Sequence, residues 1–254
     1  MSSGSLTLNA LAGLPLVAAG DDLAALLAEG LRRTRIVPQD GDILVVAQKI
    51  VSKAEGRTVD LRSVKPSARA IALAEEVEKD ARLVEVILSE SVEVVRHRKD
   101  VLIVAHRLGF VMANAGVDQS NVAGDGEHAL LLPLDPDASA AALKTKLDRE
   151  FGVGFGVVIN DSFGRAWRHG VVGIALGAAG VPSLRDMVGV QDLFGRKMRV
   201  TEVAVADEIA AAASLVMGQA AEGRPAVHVR GVNCDAPALP VASLLRPKEM
   251  DLFR

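Results

Sequence analysis

The sequence predicts an α+β fold in which mixed or antiparallel sheets pack against helices. Half of the 254 residues are hydrophobic, which is enough for a substantial core. Helix-like and strand-like segments lack the regular alternation that a doubly wound parallel sheet requires. Three short apolar runs between residues 92 and 112, separated by basic or glycine-containing turns, indicate an antiparallel meander. We expect one unit over residues 1–254, with two lobes that divide near 75–85 or 175–185.

The first half of the chain contains segments with clear periodicity. Residues 21–31 begin with two aspartates and place four leucines on one face, as an amphipathic helix does. Ile43–Ala47 is a short apolar run after a turn and predicts a buried strand. The Ala- and Glu-rich stretch 67–88 predicts one long helix, and the apolar run 129–134 predicts a strand.

The second half alternates between helical and strand-like segments. A helix over 137–151 is expected to begin near Asp137 or Ser139, both favourable N-cap residues. Residues 156–160 form a compact buried strand, and its end leads into a crowded polar loop. The remaining predicted elements are a strand over 197–205, an Ala-rich helix over 207–218 and a last strand at Ala226–Arg230.

Composition excludes several classes of function. The net charge of −3 provides no attraction for a polyanion, and the absence of tyrosine removes the usual platforms on which bases stack, so we expect no nucleic-acid partner. The single cysteine, Cys234, permits neither an internal disulfide nor a cysteine-based zinc site, and we expect a partly buried thiol. His97, His106, His128 and His228 are dispersed among strand-like runs and are expected to be structural.

Nothing in the sequence predicts a membrane segment. The N-terminus lacks a basic region followed by a long apolar run, so we expect no signal peptide. The most apolar window, 171–182, is interrupted by glycines and is well short of the roughly 20 residues that a transmembrane helix needs. We therefore expect a cytoplasmic enzyme that binds no membrane.

Several familiar catalytic motifs are missing. The sequence contains no Gly-x-x-x-x-Gly-Lys-Ser/Thr loop, no Gly-x-Ser-x-Gly and no His-Glu-x-x-His. Gly152, Gly154 and Gly156 alternate, but they precede a strand and do not join a strand to a helix. They indicate close backbone packing and not a dinucleotide site.

Two acidic segments that follow predicted strands are the first candidates for chemistry. Asp118 lies in the Asn- and Gly-rich stretch 114–121, and Asp161 and Ser162 follow the strand at 156–160. Carboxylate, hydroxyl and amide oxygens are the ligands that Mg²⁺ and Mn²⁺ prefer, and carboxylates from two segments can serve a two-metal phosphoryl-transfer site. Alternatively, each aspartate caps the backbone of its own turn. The pair, beside many glycines and basic residues, favours the metal site.

Basic residues crowd the segment after Asp161. Arg165, Arg168 and His169 lie within one predicted loop, and arginine binds phosphate or carboxylate through two parallel hydrogen bonds. We expect these three residues to contact an anionic substrate or a transferred phosphate. A surface network of salt bridges is the alternative. Trp167 either stacks on a ring or packs in a core or interface.

Five segments, taken in order, resemble one known family. They are GLPLV at 13–17, QKIVSKAEGR at 48–57, ANAGVDQSN at 113–121, NDSFGRAWRHG at 160–170 and the long run 186–219. All five are similar to the coenzyme F420-0:L-glutamate ligases, the CofE family, which also forms the N-terminal domain of the two-domain enzyme FbiB. The similarity extends over essentially the whole chain. It implies a two-lobed α+β fold and an intertwined homodimer.

The resemblance implies a GTP-dependent enzyme of coenzyme F420 biosynthesis. Members of the family add L-glutamate to the lactyl carboxylate of F420-0, a deazaflavin phosphodiester, and add further glutamates through γ-linkages. The implied mechanism passes the γ-phosphate of GTP to the carboxylate, and the glutamate amine then attacks the acyl phosphate. Such an enzyme needs positioning and charge neutralisation more than a covalent nucleophile, which agrees with the missing nucleophile motifs.

The resemblance also implies roles for individual residues. Asp118 and Asp161 are similar to the ligands of one divalent cation, Mg²⁺ or Mn²⁺, and Ser162 and Gln219 to the ligands of a second; K⁺ is a further candidate ion. The residues implied for the nucleotide are Leu14, Pro15, Leu16, Val17, Gln48, Lys49, Lys53, Asn121, Met217 and Gly218. The implied partners are the small molecules F420-0, L-glutamate and GTP, and a second copy of the chain.

Two positions depart from the family pattern. Leu16 stands where an acidic residue is common, and Gln48 stands where serine or threonine is common. Both belong to the implied nucleotide pocket, so the preference for one base is less constrained than the chemistry. Two other hypotheses stay open: a related amide ligase that uses a different carboxylate or amine, and a non-catalytic module that binds nucleotide or metal.

Overall fold

The computed structural model of the chain describes residues 4–120 and 126–252. Within this part, twelve strands and six α-helices follow one another in mixed order, which confirms the predicted α+β class. The strands are β1 Thr7–Ala10, β2 Ile43–Ala47, β3 Thr58–Asp60, β4 Ser91–Arg98, β5 Val101–His106, β6 Val111–Ala113, β7 His128–Leu130, β8 Gly156–Arg165, β9 Arg168–Ala179, β10 Arg185–Asp186, β11 Glu202–Val203 and β12 Ala226–Arg230. The helices are α1 Leu23–Arg33, α2 Gln48–Ala54, α3 Ala68–Val77, α4 Ala81–Ser89, α5 Pro136–Phe151 and α6 Val205–Met217.

The main sheet has the order β1-β12-β2-β8-β9. Only the central pair, β2 and β8, is parallel in this sheet; each of the other neighbours is antiparallel. Helices α5 and α6 pack on the sheet, and α1 packs against α5. The side chains of β2 and of the first half of β8 are buried in the core that these elements share. The near-continuous apolar runs of these two strands are what a sheet with little water contact requires.

A second buried cluster lies in the segment between β3 and β7. Helices α3 and α4 pack against each other and against the antiparallel sheet β4-β5-β6, which is the predicted meander. Leu73, Val77, Ile87, Leu102 and Val104 are among its buried side chains. The two buried clusters agree with two lobes, although the division of the chain into lobes stays a prediction. The range 75–85 lies inside the second cluster, because α3 and α4 share that core.

Three predicted elements are wrong in extent. The single helix over 67–88 is two helices, because Glu78 adopts the left-handed conformation (φ 52°) at the end of α3 and Asp80 caps α4 by accepting from Arg82 N–H. The strand over 197–205 reduces to β11, because pairing with β10 covers two residues. Lys197 forms only an isolated bridge with Gln191, and α6 already begins at Val205. The apolar run 129–134 is a strand only through Leu130.

The N-cap of α5 is also different from the prediction. Asp135 caps the helix by accepting from Ala138 N–H, and Pro136 occupies the first turn, where a missing N–H is harmless. Asp137 instead accepts hydrogen bonds from the backbone N–H groups of Ala178 and Val241. It therefore joins α5 to the main sheet and to the C-terminal segment.

Other local predictions are confirmed. Helix α1 begins after Asp22, which caps it, and buries Leu23, Leu27 and Leu31. Helix α6 ends at Gly218, whose φ of 79° suits glycine. No helix among the described residues is both long and apolar enough to cross a membrane.

Candidate functional site

A cleft of about 1200 Å³ lies between the main sheet and the meander. Its wall is built from five regions of the chain that are far apart in sequence. They are residues 14–17, 47–53, 103 with 111–120, 160–166 with 171, and 217–225. The five segments that carry the family resemblance therefore contribute to one site, apart from most of the run 186–219.

The polar segment 161–170 is a β-hairpin, whereas the sequence predicted a loop after a short strand. Strand β8 continues through Arg165 and pairs with β9, so Asp161 lies within a strand and not at a strand tip. The ladder carries a bulge in β9, where Leu176 has no partner between Gly177 and Ala175. This continuation was not predictable from the residue pattern, because polar side chains on a long ribbon resemble those of a polar loop.

Asp161 lies in the cleft with little compensation for its charge. Burial raises the pKa of its carboxyl to about 7, against the opposing effects of the Ser162 backbone N–H and Lys49, and the nearby carboxylate of Asp118 raises it further. No lysine or arginine in the described part of the chain forms an ion pair with Asp161. A partly desolvated carboxylate of this kind is completed by a cation or by a proton.

Asp118 has a different environment on the opposite wall. Its Oδ2 lies 2.6 Å from Lys49 Nζ, and Ser120 donates to it through both its backbone N–H and its hydroxyl. Burial acts to raise the pKa of Asp118, but these donors outweigh it and hold the pKa below its ordinary value. Asp118 is therefore ionised at neutral pH, and part of the turn interpretation is correct, because it does cap the backbone at Ser120.

The second implied pair of metal ligands is brought together. Ser162 Oγ donates to Gln219 Oε1 at 2.7 Å, across a wide separation in sequence. Gln219 follows the end of α6, and Asn160 holds this end in place by donating to Ser214 Oγ at 3.1 Å. Gly173 permits the close packing of α6 on β9, since a Cβ there would lie 2.0 Å from Ser214 Oγ.

Most of the residues implied for the nucleotide line the same cleft. Leu14, Pro15, Leu16 and Val17 form one rim, and Met217 and Gly218 form the neighbouring rim. Leu16 is 96% exposed. The position of Asn121 is outside the described residues.

Helix α2 supplies the cationic part of the wall. Lys49 and Lys53 lie one turn apart on this helix. The pKa of Lys53 is lowered, mainly by its burial and also by repulsion from the charge of Lys49. Gln48 is buried and accepts a hydrogen bond from Ser52 Oγ at 3.0 Å. Gln48, which departs from the family pattern, therefore makes a structural hydrogen bond with Ser52 at the start of α2.

The three predicted anion-binding residues lie close together on the hairpin, but only Arg165 lines the cleft. Arg165 lines the cleft, and its Nη2 donates to the backbone oxygen of His169. Arg168 and His169 are exposed at the tip of the hairpin, and neither contributes to the wall of the cleft. Trp167 occupies the turn with a positive φ of 65° and is 86% exposed, so its placement in a core is wrong.

Two asparagines in the cleft were not among the predicted site residues. The side-chain oxygens of Asn114 and Asn160 are buried and have no hydrogen-bond partner among the residues that the structure describes. Asn114 also begins a run of three left-handed residues that ends at Gly116, just before Asp118. Unpaired buried oxygens are costly unless a ligand completes them. The sequence did contain a signal for both residues. Asn114 begins the polar stretch 114–121, and Asn160 directly precedes Asp161.

The donor set at this site suits a hard divalent cation. The described residues contain no group of three or more His, Cys, Asp or Glu side chains arranged for a metal. A cation here would instead rely on Asp118 and Asp161 together with the neutral oxygens of Ser162, Gln219 and the substrate. Mg²⁺ typically binds through one or two carboxylates plus phosphate oxygens, so the residues present fit.

Comparison with known proteins identifies the family of the chain. Residues 13–231 match the family model described as F420-0:Gamma-glutamyl ligase. A coenzyme F420:L-glutamate ligase from Methanothermobacter thermautotrophicus is 48% identical, over 98% of this chain and 99% of that protein. Ligases of the same name from Methanopyrus kandleri and Archaeoglobus fulgidus are 46% and 44% identical, over 92% and 95% of this chain and 92% and 94% of those proteins. The chain belongs to the F420-0:gamma-glutamyl ligase family.

Proposed function

We propose that the protein joins L-glutamate to the carboxylate of coenzyme F420-0 at the expense of GTP, as a step in coenzyme F420 biosynthesis. The observation that carries this proposal is the convergence of Asp118, Asp161, Ser162 and Gln219 on one cleft that also contains Lys49. The names of the relatives supply the substrates, since each is called a coenzyme F420:L-glutamate ligase. A further addition of γ-linked glutamates belongs to the same proposal.

The chemistry requires a carboxylate to become an electrophile. A carboxylate oxygen of F420-0 attacks the γ-phosphorus, the bond to the β–γ bridging oxygen breaks, and GDP leaves. The amine of glutamate then attacks the acyl carbon, inorganic phosphate leaves, and the amine nitrogen loses a proton. Both steps depend on alignment of anionic reactants and on neutralisation of their charge, which a cleft with opposed lysines and carboxylates can provide.

The residues of the chain divide this work between them. Lys49 and Lys53 present positive charge to the triphosphate from one face of α2. Asp118 with Asp161, and Ser162 with Gln219, would hold Mg²⁺ or Mn²⁺. Divalent cations in such a site neutralise phosphate charge and orient the reacting groups. Arg165 is placed to bind an anionic group of the acceptor.

The quaternary structure is part of the proposal. The segment between β10 and β11 exposes large apolar side chains that include Val188, Leu193 and Phe194. Exposed apolar residues on an extended segment are typical of a subunit interface. They support a homodimer in which this segment of each chain lies against the other.

The decisive experiment is mass spectrometry of the deazaflavin after incubation with enzyme, GTP, Mn²⁺ and glutamate. A mass increase of one glutamyl residue, and of further whole residues, is expected, and it should depend on each component. Replacement of glutamate by aspartate, or of GTP by ATP, serves as the matched control for amine and nucleotide. An unchanged deazaflavin together with phosphate release on another acid would favour the related ligase with a different carboxylate. Nucleotide binding without turnover on any acid would favour the non-catalytic module.

A further inference from the structure

Part of the cleft wall carries almost no polar side chains. Charged and polar groups lie on α2, in the middle of β8 and in the stretches after β6 and α6, beside the apolar rim at 14–17. The part of the wall that we call the apolar end is formed by the meander and the outer β8–β9 hairpin. It includes Ile103, Val111, Ala113, Phe163, Gly164 and Val171, with Arg165 as its one charged residue.

The register of the strands shows that the apolar residues share faces. Ile103 lies directly opposite Ala113, and Val111 is two residues from Ala113 on the same strand, so these three side chains lie on one face of the meander. On the hairpin, Gly164 lies directly opposite Val171. Two apolar sheet surfaces therefore bound this end of the cleft.

These apolar residues are accessible, although they lie within a cleft. Val111 is 38% exposed and Val171 is 54% exposed. A Cβ added at Gly164 would meet no atom within 4 Å, so the space beside it is open. Phe163 fixes the hairpin against the start of β6 through an edge-on contact with Phe110, with ring centroids 6.1 Å apart. The contact between these two rings thus fixes the hairpin beside the meander at this end of the cleft.

We infer that this apolar end binds the planar heteroaromatic ring of the acceptor, with its carboxylate directed toward Asp118 and Asp161; this inference rests on the proposed function. A flat conjugated ring fits between two apolar sheet faces, and ligand sites are mostly apolar with a few polar groups. The volume of about 1200 Å³ exceeds the roughly 300–1,000 Å³ of ordinary ligand sites, as a site for two large ligands should. Arg165 is placed to pair with an anionic linker between ring and carboxylate.

The test measures binding of the deazaflavin directly, through the change in its own absorbance or fluorescence on titration with enzyme. Val111→Glu and Gly164→Val should each raise its Kd by about tenfold or more, because one places a charge against the ring and the other fills its space. The Kd for the nucleotide should not change in either variant. Val92→Glu is the matched control, since Val92 lies on the same meander, is 72% exposed and does not line the cleft.

The possible outcomes separate the two proposals. If the wild-type enzyme adds glutamate to the deazaflavin but Val111→Glu and Gly164→Val bind it as tightly as wild type, the ring lies elsewhere and this inference is overturned while the proposed function stands. If the Kd for the nucleotide rises instead, the apolar end holds the purine. If light scattering shows that the variants dissociate a dimer, this surface is a subunit contact. A wild-type enzyme that does not bind the deazaflavin overturns both proposals.

Discussion

Two partly buried carboxylates in this protein have opposite environments. Glu90 lies near the meander, where the imidazole of His106 at 3.5 Å, Arg107 and Arg57 hold its pKa down to about 2 against the effect of burial. Asp161 lies in the cleft, where burial raises its pKa to about 7 and no described cation pairs with it. The protein itself supplies the partners that compensate the charge of Glu90. Among the described residues it supplies no comparable partner for Asp161.

The difference indicates which acid is structural and which is functional. Arg57 also donates to the backbone oxygen of Leu132, and Arg107 to that of Leu134, so the Glu90 cluster ties four chain segments together. Such a group contributes to stability when its partners are present. A carboxylate that stays under-compensated lowers stability and is retained where a ligand completes it. Replacement of each acid by its amide therefore separates the two roles.

The largest expected effect is on turnover after Asp161→Asn. Glutamate-dependent release of phosphate from GTP should fall by roughly a thousandfold, comparable to the loss of a group that stabilises transition-state charge. The Tm in metal-free buffer should be unchanged or higher, because a poorly solvated charge has been removed. Circular dichroism and a phosphate-release assay test both parts. Wild-type turnover in this variant would remove the assignment of Asp161 to the active site.

Glu90→Gln should have the opposite profile. The depressed pKa corresponds to about 3 kcal/mol of stability at neutral pH, and its loss should lower the Tm by roughly 5–10 °C. A carboxyl with a depressed pKa stabilises the fold above its unfolded pKa, so the difference from wild type should shrink below about pH 4.5 and vanish near pH 2. Urea titrations between pH 7 and pH 3 measure it. Equal stability at neutral pH would contradict the structural role.

Asp118→Asn should lie between these two variants. Turnover is expected to fall by about a hundredfold, because Asp118 faces the same cleft as Asp161. Stability should change by less than about 1 kcal/mol, since the pair with Lys49 is partly exposed to solvent and screened. Paired measurements of Tm and of the Kd for Mn²⁺ test this. A large loss of stability without loss of Mn²⁺ binding would make Asp118 a structural residue like Glu90.

The smallest effect is expected for Asp60→Asn. Side-chain and backbone hydrogen bonds from Arg62 lower the pKa of Asp60 to about 2, the same value as for Glu90. Both partners are exposed, however, and water screens the pair. The Tm of this variant should therefore decrease far less than that of Glu90→Gln. An equal decrease in Tm would show that a depressed pKa is enough to identify a structural acid. Burial beside several cations would then not be required.

The local elements were predictable where one short pattern decides the structure. In such segments the spacing of apolar residues follows the repeat of the backbone and so predicts both the element and its buried side. Examples are the leucines of α1, the apolar run of β2 and the three strands of the meander. The break between α3 and α4 was missed because the left-handed residue is Glu78 and not glycine, so composition gave no stop signal. The extension of β8 into the β8–β9 hairpin was missed because pairing with β9 determines it.

The candidate site divides in the same way. The residue types in the segments around Asp118 and Asp161 indicated oxygen ligands for a hard cation, and their similarity to one family indicated the chemistry. The chain alone did not show that Arg165 enters the cleft while Arg168 and His169 lie at the hairpin tip, because the ladder and turn of the hairpin decide which side chains face inward.

The sequence by itself determined the α+β class, most of the elements and the family, because those follow from periodicity, caps and ordered motifs along the chain. Tertiary structure alone decided that Ser162 lies 2.7 Å from Gln219 and that Lys49 pairs with Asp118. It also decided that Asp161 has no such cationic partner within residues 4–120 and 126–252. The physical reason is that a charge depends on all the groups and water that surround it in space. Those neighbours come from strands and helices that only folding brings together.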